Sequence, residues 1–190
     1  MVRVKKRWNQ QAAPRTLAQM ANAIGASIWK LAAQVVLNLE NEKFETDTQA
    51  QRIDIMEEVM CYLVHVCDRW IYPRAEQDQR AEFISALVKD LGRMLEDSRV
   101  DVQGAGEYQA DFFDKVNLRS GDFAGYSYSE DEGGSFAMRC RLGDRVRAAM
   151  GERDGRWIPD FIVGREAPEI ETALKRSLAG LVSFDRTDSE

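Results

Sequence analysis

Apolar residues recur at helical spacing along most of this chain, and the gaps between those stretches mark its elements. Leu17, Met20, Ala21, Ile24, Ile28, Leu31, Val35 and Leu39 follow the i, i+3, i+4, i+7 pattern of one helical face. Thr16, two residues after Pro14, is placed to cap that helix. Trp29, Ala33, Val36 and Leu37 widen the stripe, and a helix apolar over most of its circumference is buried or lies in an interface. Thr46, Asp47 and Thr48 open a second helix that runs to Tyr72, where Pro73 stops it. Its stripe is Ile53, Met56, Met60, Leu63, Cys67 and Trp70, with Val59, Val66 and Ile71 beside it.

The third segment, Ala75 to Asp97, has the cleanest two-sided pattern. Phe83, Leu87, Leu91 and Met94 form one row, Ile84, Val88 and Leu95 its neighbour, while Gln79, Arg80, Glu82, Lys89, Asp90 and Arg93 face outward. The tight corner at Pro73 predicts that it packs antiparallel on the second helix. Glu107 to Leu118 fits a short helix with Tyr108, Phe112, Phe113 and Val116 inward. From Ser120 to Ser135 the periodicity is lost: Phe123, Tyr126 and Tyr128 lie near Glu130, Asp131 and Glu132, which reads as a mobile acidic-aromatic loop. Met138, Leu142, Val146 and Met150 predict a helix over Phe136 to Met150, ended by Gly151. Trp157 to Val163 is apolar, contains Pro159 and fits no single element. Pro168 suits the first turn of a last helix, lined by Ile170, Leu174, Leu178, Leu181 and Val182.

The pattern therefore predicts an all-α fold: five or six helices around one core, with a central antiparallel pair formed by the second and third. Residues 1–15 read as a basic flexible arm, 16–183 as a single helical domain and 184–190 as a polar tail. The breadth of the first two stripes predicts a homodimer through one of them.

Charge adds one asymmetry. No Asp or Glu occurs from Met1 to Leu39, so that stretch carries +6 and the remainder −12, within a net charge of −6. Arg3, Lys5, Lys6 and Arg7 concentrate the positive charge in the arm, which suits an acidic partner surface. An overall pI near 5.0 argues against a dedicated duplex-DNA binder; nucleic acid enters only through the arm and is not favoured. Leu17 to Leu39 is interrupted by Gln19, Asn22, Lys30, Gln34 and Asn38, too polar for a membrane span or a secretory signal. Three cysteines without paired spacing point to a reducing, cytoplasmic setting. The acid-free start also has the composition of an organellar transit peptide, the less favoured reading.

Candidate chemistry is sparse. No Gly-rich phosphate loop, G-x-S-x-G or H-E-x-x-H motif is present. The single histidine, His65, shares a helical face with Cys61 and Asp68 at i, i+4 and i+7, and Glu58 lies three residues before Cys61. Thiolate, imidazole and carboxylate are zinc ligands, but on so apolar a helix the favoured reading is a packed core residue. Glu42 with Glu45, Asp54 with Glu57 and Asp111 with Asp114 are carboxylates three apart that could hold magnesium; they read first as a solvated face. Arg139, Arg141, Arg145 and Arg147, followed by Arg153, Arg156 and Trp157, form a basic cluster for an anion or partner, or one neutralised by the acids Glu130 to Glu132. The expectation is a non-enzymatic helical interaction or regulatory module acting as a homodimer, with no cofactor. The alternative is a metal-binding bundle or metal-dependent enzyme that uses zinc on the His65 face.

Overall fold

The computed structural model describes residues 15–151, 153 and 155–184. The arm residues Arg3, Lys5, Lys6 and Arg7 and the tail from Asp185 onward lie outside them. The fold is all-α. The helices are α1 (Leu17–Asn41), α2 (Gln49–Ile71), α3 (Gln77–Gln103), α4 (Tyr108–Ala124), α5 (Phe136–Met150), α6 (Ile158–Phe161) and α7 (Ala167–Leu181). A π-helical turn, Ile162–Glu166, joins α6 to α7 without a break. The expected caps are in place. The Gln19 N–H donates to Thr16 Oγ1 at 3.2 Å and the Thr16 N–H to Gln19 Oε1 at 3.0 Å, a reciprocal capping box. The Gln51 N–H donates to Thr48 Oγ1 at 3.1 Å. Gly104 and Gly151, each with φ of 84°, close α3 and α5 in a backbone region that favours glycine.

The expected antiparallel pair of α2 and α3 is present, and α2 is its more deeply buried member. Sixteen of its 23 residues are buried, because α1, α3, α4, α5 and α7 all pack on it. α3 does run antiparallel to α2: Arg80 near its start pairs with Asp68, and Arg99 near its end pairs with Glu57 and Asp54. α3 buries six residues and packs on α1 and α4 as well as on α2. The stripe of α1 is covered by α2, α3 and α7, while Leu37, which widens that stripe, stays exposed. α1 is long and apolar enough to cross a membrane by length and composition, yet Ala21, Ile24, Ile28, Val35 and Leu39 sit in the core.

Three segments differ from the pattern. α3 continues past Asp97 to Gln103, because Arg99 is buried against α2. α4 continues past Leu118 to Ala124, burying Arg119 and Phe123, and takes up the first part of the expected loop. The rest folds back as a two-residue antiparallel hairpin, Tyr128–Ser129 with Gly133–Gly134. Of Trp157 to Val163, Trp157 caps a helix that starts at Ile158, with Pro159 in the first turn of α6, where its missing N–H costs no hydrogen bond.

Two helical glycines should respond oppositely to alanine. A Cβ on Gly143 of α5 would lie 3.0 Å from Pro159 Cα and 3.2 Å from its carbonyl oxygen, so Gly143→Ala must push α5 from α6. Overpacking of this kind costs about 1–3 kcal/mol. Gly121 of α4 has open space around it, and Gly121→Ala should stabilise by about 0.5–1 kcal/mol through helix propensity and chain entropy. Urea unfolding of both variants checks the pair.

Candidate functional site

Because the middle of α2 is buried, its carboxylates Glu57 and Glu58 must find cations inside the molecule. Glu57 and Glu58 are 7% and 5% exposed. α3 supplies Arg99, whose guanidinium donates to Glu57 Oε1 through Nε at 2.8 Å and Nη2 at 2.6 Å and reaches Asp54 at 2.5 Å. From α4, Lys115 pairs with Glu57 and lies 3.5 Å from Glu58, while Arg119 forks onto both Glu58 oxygens at 2.7 and 2.8 Å. Burial alone would raise the Glu58 carboxyl. The Arg119 hydrogen bond and the charges of Lys115, Arg119 and Arg145 outweigh it and hold Glu58 below the usual carboxylate range. The chain of charges continues through Asp122, which pairs with Arg119, Arg141 and Arg145.

A second buried carboxylate, Glu171 of α7, locks the hairpin. It accepts hydrogen bonds from the Tyr62 hydroxyl, from the Gly134 N–H at 3.2 Å and from Arg139 Nε and Nη2 at 3.1 and 2.8 Å. Gly133 has φ of 76°, and a Cβ there would stand 2.0 Å from Glu171 Oε2. Only glycine lets the strand close over this carboxylate.

These contacts account for most of the candidates read from sequence. The arginine cluster is neutralised internally, but chiefly by Glu171 and Asp122 rather than by Glu130 to Glu132. Arg139 takes Glu171 and the Glu132 carbonyl, Arg141 and Arg145 take Asp122, and Arg147 takes Asp144. Arg153 lies between Glu45 and Asp47, at 2.5 and 3.1 Å. Of the spaced carboxylates, Glu42 pairs with Arg165, Asp54 and Glu57 share Arg99, and Asp111 and Asp114 are exposed. The four zinc candidates separate: Glu58 is held by Arg119, Asp68 by both arms of Arg80 at 2.6 Å, and Cys61 is buried, its thiol pushed up by burial and by Glu58. Among the described residues no group of three or more His, Cys, Asp or Glu is placed to hold a metal ion.

His65 and Asp68 do share one feature. Both line a groove of about 630 Å³ between α2, α3 and α4. Its floor is apolar: Val64, Ala81, Ile84, Val88, Phe113 and Val116. Ser85, Lys89, Gln109, Asn117 and Ser120 add polar groups. The His65 ring tilts against Phe123 at 5.6 Å between centroids, and Arg69 Nε donates to its Nε2 at 3.3 Å. An accepting Nε2 places the neutral ring's proton on Nδ1. Burial and then the Arg69 charge lower its pKa to about 4, against a partial offset from Asp68. The groove histidine is therefore neutral at physiological pH. Arg99, Lys115, Arg119, Glu171 and the groove itself were not read from sequence. Arg99 and Arg119 fall in register with the core rows Leu91–Leu95 and Phe112–Val116, and that register was the available signal.

Comparison of the chain with protein-family models, with curated proteins and with solved structures finds no match.

Two measurements test this electrostatic picture. Arg119→Ala leaves Glu58 buried beside fewer cations, and breaking such a pair costs about 3–5 kcal/mol. Because the folded Glu58 pKa is depressed, its contribution is full above the ordinary value of 4.5 and lost as pH falls through the folded value. The gap between wild type and variant in urea unfolding should therefore be wide at neutral pH and narrow in acid. For His65, the sole imidazole NMR resonance should titrate near pH 4. With the folded value depressed, stability should fall as pH drops from about 6.5 toward 4, where only the unfolded chain takes up the proton. A midpoint near 6.5 would contradict the packing described.

Proposed function

We propose that this chain is a non-enzymatic helical binding module whose ligand enters the groove between α2, α3 and α4. One observation carries the reading. Most buried acids and bases elsewhere are engaged in ion pairs, and Glu166 is held by Asn38. This groove, at about 630 Å³, combines an apolar floor with few polar groups, as small-molecule sites do. Of the hollows of similar volume, the one over 40–52 is lined mainly by charged and polar residues, and the other by Arg147, Ala148, Gly151, Gly155 and Arg156. The state of the reactive groups supports binding over catalysis. His65 is neutral with Nε2 engaged by Arg69, and burial first of all raises the Cys61 and Cys67 thiols, which disfavours thiolate. Cys61, Cys67 and Cys140 are unpaired, which supports a reducing, cytoplasmic setting. A homodimer would have to use side chains such as Leu37, Leu118 or Phe136, which are 52%, 62% and 73% exposed, so the groove bears the weight of the proposal.

A neutral dye tests it. Nile red should bind wild-type protein with saturable fluorescence enhancement. Ser85→Trp, which fills the groove from an exposed position on α3, should abolish binding while leaving the melting temperature close to wild type. Undiminished binding in Ser85→Trp, or none in wild type, would overturn the reading.

A further inference from the structure

The groove's charges narrow what it holds. Asp68 and Arg80 face each other in a bidentate pair at 2.6 Å and cancel. Lys89 lies nine residues beyond Arg80, roughly 13.5 Å along α3 and half a turn around it, at the exposed rim of the groove. Among the described residues it makes no ion pair with any carboxylate, unlike the cations of the α2 network. Its own carbonyl takes the Gln109 side-chain amide at 3.4 Å, which ties the α3 backbone at Lys89 to the start of α4. His65 adds no charge at neutral pH. The lining thus carries one positive charge in excess, on the exposed rim of an apolar trough that also holds the neutral Asp68–Arg80 pair.

We infer that the groove binds a small amphipathic monocarboxylate, with its apolar body on Ile84, Val88, Phe113 and Val116 and its carboxylate on Lys89 Nζ. The inference rests on the reading of the groove as the binding site and adds the class of ligand. A phosphate monoester fits less well: its second negative charge would meet no free cation, since Arg80 is held by Asp68. A cationic amphiphile would place like charge against Lys89. A fully apolar molecule would leave the ammonium without a counter-charge and forgo the gain of a charged hydrogen bond.

Displacement of Nile red by three ten-carbon probes tests the inference: decanoate, decanol and decyltrimethylammonium. Decanoate should displace the dye best and should shift the His65 imidazole resonance, which reports from the groove wall. Lys89→Gln should weaken decanoate by about tenfold, the lower end for a hydrogen bond to a charged group, and leave decanol unchanged. Lys89→Glu should reverse the order of decanoate and decyltrimethylammonium. Lys89 is exposed, so both variants should fold, and their melting temperatures check this. Equal displacement by all three probes, or decanoate binding indifferent to Lys89, would overturn the carboxylate inference while leaving the groove as a binding site. Failure of every probe, with Nile red itself not binding, would instead remove the groove reading.

Discussion

Two adjacent carboxylates in the buried middle of one helix constrain the rest of this molecule. Glu57 and Glu58 sit on the middle of α2, where Ile55 to Cys67 are all buried. An ionised carboxylate out of water costs several kcal/mol unless cations with good geometry offset it. The cations come from the two helices that follow. α3 must run far enough to bring Arg99 level with Glu57, and α4 far enough to bring Arg119 level with Glu58. Those lengths set where the chain can turn. Gly104 ends α3 five residues after Arg99, and α4 stops at Ala124, just past Phe123, which packs edge-on against Tyr62. The hairpin and its Glu171 lock come next, on the same stretch of α2.

The groove follows from the same constraint. α3 is tied to α2 at both ends, by Arg80 with Asp68 and by Arg99 with Glu57, and α4 is tied through Lys115 and Arg119. Between these ties, Ile84, Val88 and Phe113 stay only half-buried, and the space above them is left to solvent or ligand. His65 lies where the packed interior meets this space. The desolvation that makes it a poor general base also keeps the groove free of a second positive charge.

Much of the helical scaffold was legible because apolar period and caps agree. Thr16, Thr48, Gly151 and Pro168 sit at or within a residue of the boundaries where they act. The ends of α3 and α4 were not, and the cause is specific. Arg99 continues the row of Leu91 and Leu95, and Arg119 that of Phe112 and Val116, but a charged residue on a core row reads as the end of the row. Its partner lies 42 or 61 positions away in sequence, beyond any local period. The candidate site was half legible for the same reason. Spacing placed His65 and Asp68 on one face correctly, but could not reveal that Arg80, twelve residues on, already holds Asp68. It could not reveal either that Lys89, which reads as one more outward charge on α3, is the groove lysine without an acid.

The division of labour between these charges bears on what can change without unfolding the protein. Buried ion pairs add little net stability over apolar residues of the same shape, but removing one partner is costly. The α2 network and the Glu171 lock are therefore rigid in composition: Arg99, Lys115, Arg119 and Arg139 each answer a particular carboxylate. The polar groups of the groove are under no such obligation. Ser85, Lys89 and Asn117 are exposed, and substituting them strands no buried partner. A scaffold built this way can hold its helices at fixed registers while the lining of the α2–α3–α4 groove changes its charge and shape. Under the binding role proposed above, ligand preference could then vary on a constant fold, which a site built from the network's own charges would not permit.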